Sequence, residues 1–393
     1  MKTRPPIKSA NKSALTTAYY LSFIMLGLLA AAEGPALPGL AQNTSTTLDQ
    51  ISLIFVFGAL GYLLGSLFSG YVYDRLPGHH VIALTFSLIS VCTALIPFIH
   101  SLGLLLLVML VLGIAKSALD VGCNALLMWV HGVHAGPFMN GLHFFFGLGA
   151  LGAPLILAQV LALTGGIQGM FWLFATLSLP LAVWLWKLPS PASEDASRED
   201  SADPFPVLPV ALLVLALLLY VGAELGFGNW IYTYAFTLGL GTDITAAYLT
   251  SAFWGAFTVG RLFGVWVSAR LKPATILLAD LAGCLAGLAL IMLWPDSAQA
   301  LWVGAIVLGA CMASIFPTTL LLAGEHMRVS GTMTGWFLMG ASLGGMSLPW
   351  VIGQAFVRIG AQAMPVLVST TLAATLSVIL LYNYRSRPIP TSQ

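Results

Sequence analysis

Apolar runs of about twenty residues follow one another along almost the whole chain, each long enough to cross a hydrocarbon core of about 30 Å. Inside such a core no water is present to bond the backbone, so each crossing segment has to pair its own N–H and C=O groups, as a helix does. Of 393 residues 59% are hydrophobic and 7% charged, against about 25% charged in water-soluble domains. The chain therefore reads as an all-α, multi-pass membrane protein. A formal net charge of +1 and the absence of a basic tract leave nothing to attract nucleic acid.

Twelve transmembrane helices are predicted, at roughly 16–42, 49–73, 80–99, 102–130, 137–163, 167–187, 206–238, 244–271, 274–294, 299–324, 330–357 and 363–383. Lys and Arg set the orientation. With the N-terminus inside, the inner connections hold Arg75, Lys187, Arg198, Arg270, Lys272 and Arg328, and the tail adds Arg385 and Arg387. The outer connections hold only Arg358. Both termini are thus expected in the cytoplasm, with the chain in the cell membrane. Residues 188–205 are acidic, rich in Ser, Ala and Pro, and without periodicity. They read as a flexible cytoplasmic linker between two six-helix bundles, residues 1–187 and 206–393.

The two bundles repeat each other. Gly65, Leu67, Phe68, Val72, Arg75 and Leu76 recur as Gly260, Leu262, Phe263, Val267, Arg270 and Leu271, all at one offset (260 − 65 = 195). The same offset carries Leu148, Gly149 and Pro154 onto Leu343, Gly344 and Pro349. Ala32-Glu33 and Ala223-Glu224 match at an offset of 191. Internal symmetry of this kind builds many secondary transporters, with binding sites near the midplane between the repeats. The expectation is two pseudo-symmetric bundles that rock about a central cavity.

The run Gly70-Tyr71-Val72-Tyr73-Asp74-Arg75-Leu76-Pro77-Gly78 resembles the loop between helices 2 and 3 of the major facilitator superfamily, and the similarity extends over the whole chain. It departs by one extra residue before the glycine and by His79-His80 where basic residues are usual. Tyr220–Glu224, Gly260–Trp266 and Ser314–Pro317 are similar to the fucose/glucose/hexose symporter group. Asp120–Asn124, with Leu142-His143-Phe144 and Gly147–Ala150, resembles its branch of sodium-dependent glucose transporters. The resemblance implies the major facilitator fold, gating roles for Gly70, Asp74 and Arg75, and proton-coupling carboxylates in helices 1 and 4. Those map here onto Glu33 and Asp120.

The residues themselves support a polar site. An ionisable side chain at membrane depth costs at least about 2.5–3.5 kcal/mol and marks function by default. Lys116, Asp120 and Asn124 fall at i, i+4 and i+8 and share one helix face. Asp120 reads as the coupling carboxylate, tuned by Lys116, with Asn124 offering donor and acceptor to a sugar hydroxyl. Glu33 and Glu224 complete the cation-coupling set, Glu224 either as an orienter or as a second cation ligand. Asn229, Trp230, Tyr234 and Trp254 fit carbohydrate recognition, since flat rings stack on a sugar and amides read its hydroxyls. For Trp230 the competing reading is an aromatic belt at the membrane interface. His143 serves equally as a sugar or proton contact or as a cap on a carbonyl. Arg261 reads as a tie between helix 8 and a neighbour, with Asp280 and Glu325 as available partners, and Arg270 joins Arg75 among the gate residues.

Other chemistry is a poor fit. The chain lacks G-x-x-x-x-G-K-[ST], a nucleophile elbow and HExxH, so neither ATP-driven transport nor an enzyme is expected. Cys92, Cys123, Cys284 and Cys311 lie in apolar segments without metal-ligand spacing. No cofactor is expected beyond a coupling H+ or Na+. The preferred function is cation-coupled symport of a sugar or similar neutral solute by a monomer in the lipid bilayer. A proton-driven exporter of amphipathic compounds is the alternative, and a non-transporting membrane sensor a weaker one.

Overall fold

The computed structural model describes residues 9–191, 206–327 and 331–385. Twelve membrane-length helices run through them: α1 (Ser9–Thr44), α2 (Leu53–Arg75), α3 (Gly78–Leu95), α4 (Leu102–His131), α5 (Ala135–Thr164) and α6 (Gln168–Lys187). After the acidic segment come α7 (Val207–Thr237), α8 (Asp243–Ser268), α9 (Pro273–Leu293), α10 (Ala298–Met312, continued by Ile315–His326), α11 (Gly331–Ile359) and α12 (Ala363–Arg385). A one-turn helix, Leu48–Ile51, leads into α2. All twelve predicted spans are present, their ends moved by a few residues. The helices are apolar all round, with no strong amphipathic face, as expected where lipid covers one side and neighbouring helices the other.

Contacts divide the chain into two compact units, one of α1–α6 together with Thr242–Gly255, the other of α7, the rest of α8 and α9–α12. In the first, α1 packs on α5, α2 on α4 and α3 on α6. In the second, α7 packs on α11 and α12, and α9 on α10 and α12.

Glycines set the register of these pairs. A Cβ on Gly149 would strike the carbonyl of Ile24 and the amide of Leu28, and one on Gly344 would strike Leu218 O and Gly222 N. Only glycine lets the two backbones of each pair come so close. Gly65 likewise meets Ile114 O and the Ser117 Cβ, while Gly260 meets Ala310 O and the Ala313 Cβ. The glycine pairs obey the offset of 195 (344 − 149; 260 − 65), whereas their partners sit at 194 on α7 (218 − 24) and 196 on α10 (310 − 114). The repeat is therefore one of packing.

The same register corrects one sequence match. Glu33 lies five residues beyond Leu28 and Glu224 only two beyond Gly222. The two glutamates are consequently about one turn apart, or ~4.5 Å along the helix axis, and do not occupy equivalent places.

At the end of α2 the guanidinium of Arg75 lies 3.8 Å from the centroid of the Tyr71 ring and hydrogen-bonds its hydroxyl. Arg270 lies 3.9 Å from the Trp266 ring at the end of α8. The two pairs match at the offset of 195 (270 − 75; 266 − 71), Arg75 in the last turn of α2, where it favours the helix dipole, and Arg270 two residues past the end of α8. His79 opens α3 fully buried. Its Nε2 accepts from Tyr19 Oη at 2.7 Å, its Nδ1–H donates to Leu188 O at 3.2 Å, and its amide donates to Ser190 Oγ at 3.1 Å. Leu188 and Ser190, at the head of the segment read as a flexible linker, are thus bonded to His79 of α3. Residues 192–205 of that segment, and Arg198, Arg328 and Arg387, lie outside the described residues.

Candidate functional site

In the first unit the charged groups gather where α1, α2 and α4 meet. Lys116, buried on α4, forms an ion pair with Glu33 of α1. This corrects the pairing read from helical spacing: the lysine is committed to Glu33. The cause is direction, since side chains on a helix lean toward its N-terminus and Lys116 reaches across to α1. Asp120, one turn along, has neutral donors only. Tyr62 Oη of α2 donates to its Oδ2, and Asn124 Nδ2 donates to its Oδ1 at 2.8 Å and to its backbone carbonyl at 2.9 Å. The amide hydrogens of Asn124 are therefore occupied, leaving its carbonyl oxygen to accept.

Tyr62 is the member that sequence reading missed. It stands beside Gly61 and Gly65, which with Gly113 of α4 let α2 approach α4, and a phenol in so apolar a span needs a partner. That is the signal that marks it. His143 lies exposed on α5 with its ring edge-on to Phe23, centroids 5.8 Å apart. Trp254 of α8 is buried against Phe253, 5.1 Å between centroids. Close by, Ser251 Oγ donates to Leu151 O at 2.7 Å and Gln159 donates to Tyr248 at 2.8 Å.

In the second unit the charges are arranged otherwise. Glu224 of α7 stands one turn beyond Tyr220, beside its hydroxyl, and lies in the field of Arg261 from α8. The one hydroxyl hydrogen of Tyr220 goes to Met312 O, at 2.5 Å, where the first piece of α10 ends. The guanidinium of Arg261 lies 4.6 Å from the ring centroid of Phe257, one turn back on α8, and its buried Nε is unpaired. Asp280 is not its partner: Ser314 Oγ donates to Asp280 Oδ2. Glu325 is exposed.

The aromatic members of α7 turn inward. Trp230 is fully buried, its Nε1 donating to Pro349 O of α11 at 2.8 Å and its ring 5.1 Å from Phe356. Tyr234, also fully buried, donates to Gln362 Oε1 at 3.2 Å. Neither reading of Trp230 from sequence, sugar platform or interfacial belt, describes a ring enclosed by protein with its one donor spent. Asn229 is buried one residue before it. Gly70, Asp74, Arg75 and Arg270 are exposed near the ends of α2 and α8, away from these clusters. Among the described residues no group of three or more His, Cys, Asp or Glu side chains is placed to hold a metal ion.

Each unit thus places carboxylates at membrane depth beside hydroxyl and amide groups, the chemistry of a polar solute and a small cation. A family model described as Major Facilitator Superfamily matches residues 19–349. Sodium-dependent glucose transporter 1 of Homo sapiens is 28% identical over 399 residues, spanning 92% of this chain and 77% of that protein. The protein of the same name from Xenopus laevis is 30% identical over 382 residues, spanning 90% and 77%. A crystal structure of a mutant of the nucleoside transporter NupG matches with a TM-score of 0.75 at 16% identity, over 94% of this chain and 99% of that one. At that identity the likeness is one of fold.

Proposed function

The chain belongs to the Major Facilitator Superfamily, and on that premise we propose that it couples cation movement to the symport of a sugar or similar neutral polar solute. It is a twelve-helix, multi-pass membrane transporter working by alternating access, and not an enzyme. Relatives named as sodium-dependent glucose transporters over most of the chain support the solute class.

The observation that carries the coupling assignment is the contrast among three carboxylates. Glu33 is ion-paired with Lys116, and Glu224 lies in the field of Arg261. Asp120 has only the hydroxyl of Tyr62 and the amide of Asn124. It is the member free to exchange a proton or sodium ion against a charge of its own.

Solute contact is assigned in the first unit to Asn124 through its free oxygen, to His143 and to Trp254, and in the second to Asn229. Trp230 and Tyr234 shape the α7 wall, since their polar atoms are already engaged by α11 and Gln362. Gly70, Asp74, Arg75 and Arg270 act as gate residues at helix ends. Residues 1–187 and 206–393 serve as the two halves, with residues 188–205 between them. The protein resides in the cell membrane as a monomer with both termini cytoplasmic, a reading supported by basic residues at the ends of α2, α6, α8 and α12.

Uptake of labelled hexoses into proteoliposomes, with sodium and proton gradients imposed one at a time, tests this. Accumulation under one gradient and not in its absence is the expected result. Expulsion of an amphipathic dye with no sugar accumulating under either gradient replaces symport by export.

A further inference from the structure

Asp280 is a carboxylate that none of these roles uses. It stands half-buried two turns into α9, hydrogen-bonded by Ser314. Ser314 sits in the break of α10, between the pieces ending at Met312 and beginning at Ile315. The break has a covalent cause in Pro317, which lacks an N–H and whose ring opposes the carbonyl four residues back, that of Ala313.

A serine at the start of a helix ordinarily turns its oxygen onto the first free amides. Ser314 makes no such cap, and its hydroxyl goes to Asp280 instead. On the opposite side of the break, the carbonyl of Met312 is taken by Tyr220. Non-helical backbone at membrane depth is tolerated where it is buried in protein or lines a polar cavity, and carbonyls freed in this way coordinate coupling ions in broken transporter helices.

The charge balance around Asp280 is one-sided. Among the described residues no Lys or Arg forms an ion pair with it. The titratable groups in its field are thiols, Cys284 one turn along α9 and Cys311 on the first piece of α10. An ionised carboxylate away from water is costly unless something neutralises it, and here the protein supplies hydroxyl and carbonyl oxygens without a positive charge.

We infer that Asp280, Ser314 and the freed Ala313 carbonyl at the α10 break form a second cation site, taking one small monovalent cation, H+ or Na+, on the Asp280 carboxylate. It is separate from Asp120. Its use in transport rests on the reading of the chain as a cation-coupled transporter, but cation binding there does not.

The test uses the purified full chain in two arms. Calorimetric titration with sodium chloride against choline chloride at fixed pH reads sodium, and infrared absorption of the carboxylic-acid C=O band across a pH titration reads the proton. A signal in either arm that Asp280→Asn removes and Asp120→Asn keeps establishes the site, and the arm that shows it identifies the cation. Signals equal to those of the unmodified protein in Asp280→Asn overturn the inference. If Asp120→Asn changes neither arm, the coupling role of Asp120 falls while the Asp280 site stands. Should Asp280→Asn fail to fold, Ser314→Ala removes only a hydroxyl. About tenfold weaker cation binding is expected from it, and unchanged affinity counts against the site. Modification of Cys311 by a maleimide needs no change at the site. Slowing by the bound cation is expected, and a rate blind to both cations contradicts the site.

Discussion

α4 and α10 hold equivalent places in their units, each meeting a glycine of its partner helix in the same register, yet they carry opposite chemistry. At the packing offset of 196, Lys116, Asp120 and Asn124 correspond to Met312, Phe316 and Leu320 (312 − 116). Where α4 has Val121 and continues, α10 has Pro317 and breaks (317 − 196). The charges of the second unit come from other helices: Glu224 on α7, Arg261 on α8 and Asp280 on α9. The difference teaches that close helix packing is duplicated while the electrostatics are not. Packing is fixed by a few glycines, and side chains one turn away are free to diverge.

The sharpest way to break this contrast is to neutralise one carboxylate in each unit. Asp120→Asn is expected to abolish gradient-driven accumulation in proteoliposomes, down to the passive ratio, while solute exchange persists. Glu224→Gln, in the field of Arg261, should leave accumulation measurable. Loss of solute binding in Asp120→Asn with coupling intact would reverse the assignment.

Next in size is the ion pair. Lys116→Met leaves the half-buried Glu33 without its partner and should destabilise the protein by up to about 3 kcal/mol, read as a lowered melting temperature in detergent. Adding Glu33→Gln should recover most of the loss. No recovery would mean that Lys116 answers to Asp120 after all.

Smaller effects test the shared packing. Gly149→Ala and Gly344→Ala each drive a methyl into a neighbouring backbone and should cost about 1–3 kcal/mol. The two losses should agree closely if the register is common to both units, and a clear inequality would undo the equivalence. Smallest of all, Tyr71→Leu and Trp266→Leu remove the rings under Arg75 and Arg270. At exposed helix ends each is worth at most about 0.5–1 kcal/mol, seen as a matched small drop in melting temperature.

Much of the fold was legible from residues alone because a membrane leaves so few options. Twenty apolar residues become a helix, and the repeat Gly65/Gly260 and Gly149/Gly344 marks places that the structure brings into contact. The site was legible in its ingredients and not in its pairings. Helical spacing put Lys116 beside Asp120, but spacing describes one helix and the nearer carboxylate came from another. Tyr62 escaped notice because a tyrosine in an apolar run looks like filling until its hydroxyl has a destination. Trp230 and Tyr234 looked like a sugar platform because composition does not reveal which way a ring faces.

What the sequence determined by itself was the number of helices, their duplication and the residue types that cannot rest in lipid unpaired, since each follows from the solvent and from chain periodicity. What only the tertiary structure decided was who pairs with whom: Glu33 with Lys116, Asp120 with Tyr62, Asp280 with Ser314. Those pairings join residues 34 to 83 positions apart. No local rule reaches that far, because the energy of a buried charge depends on the helix that happens to face it.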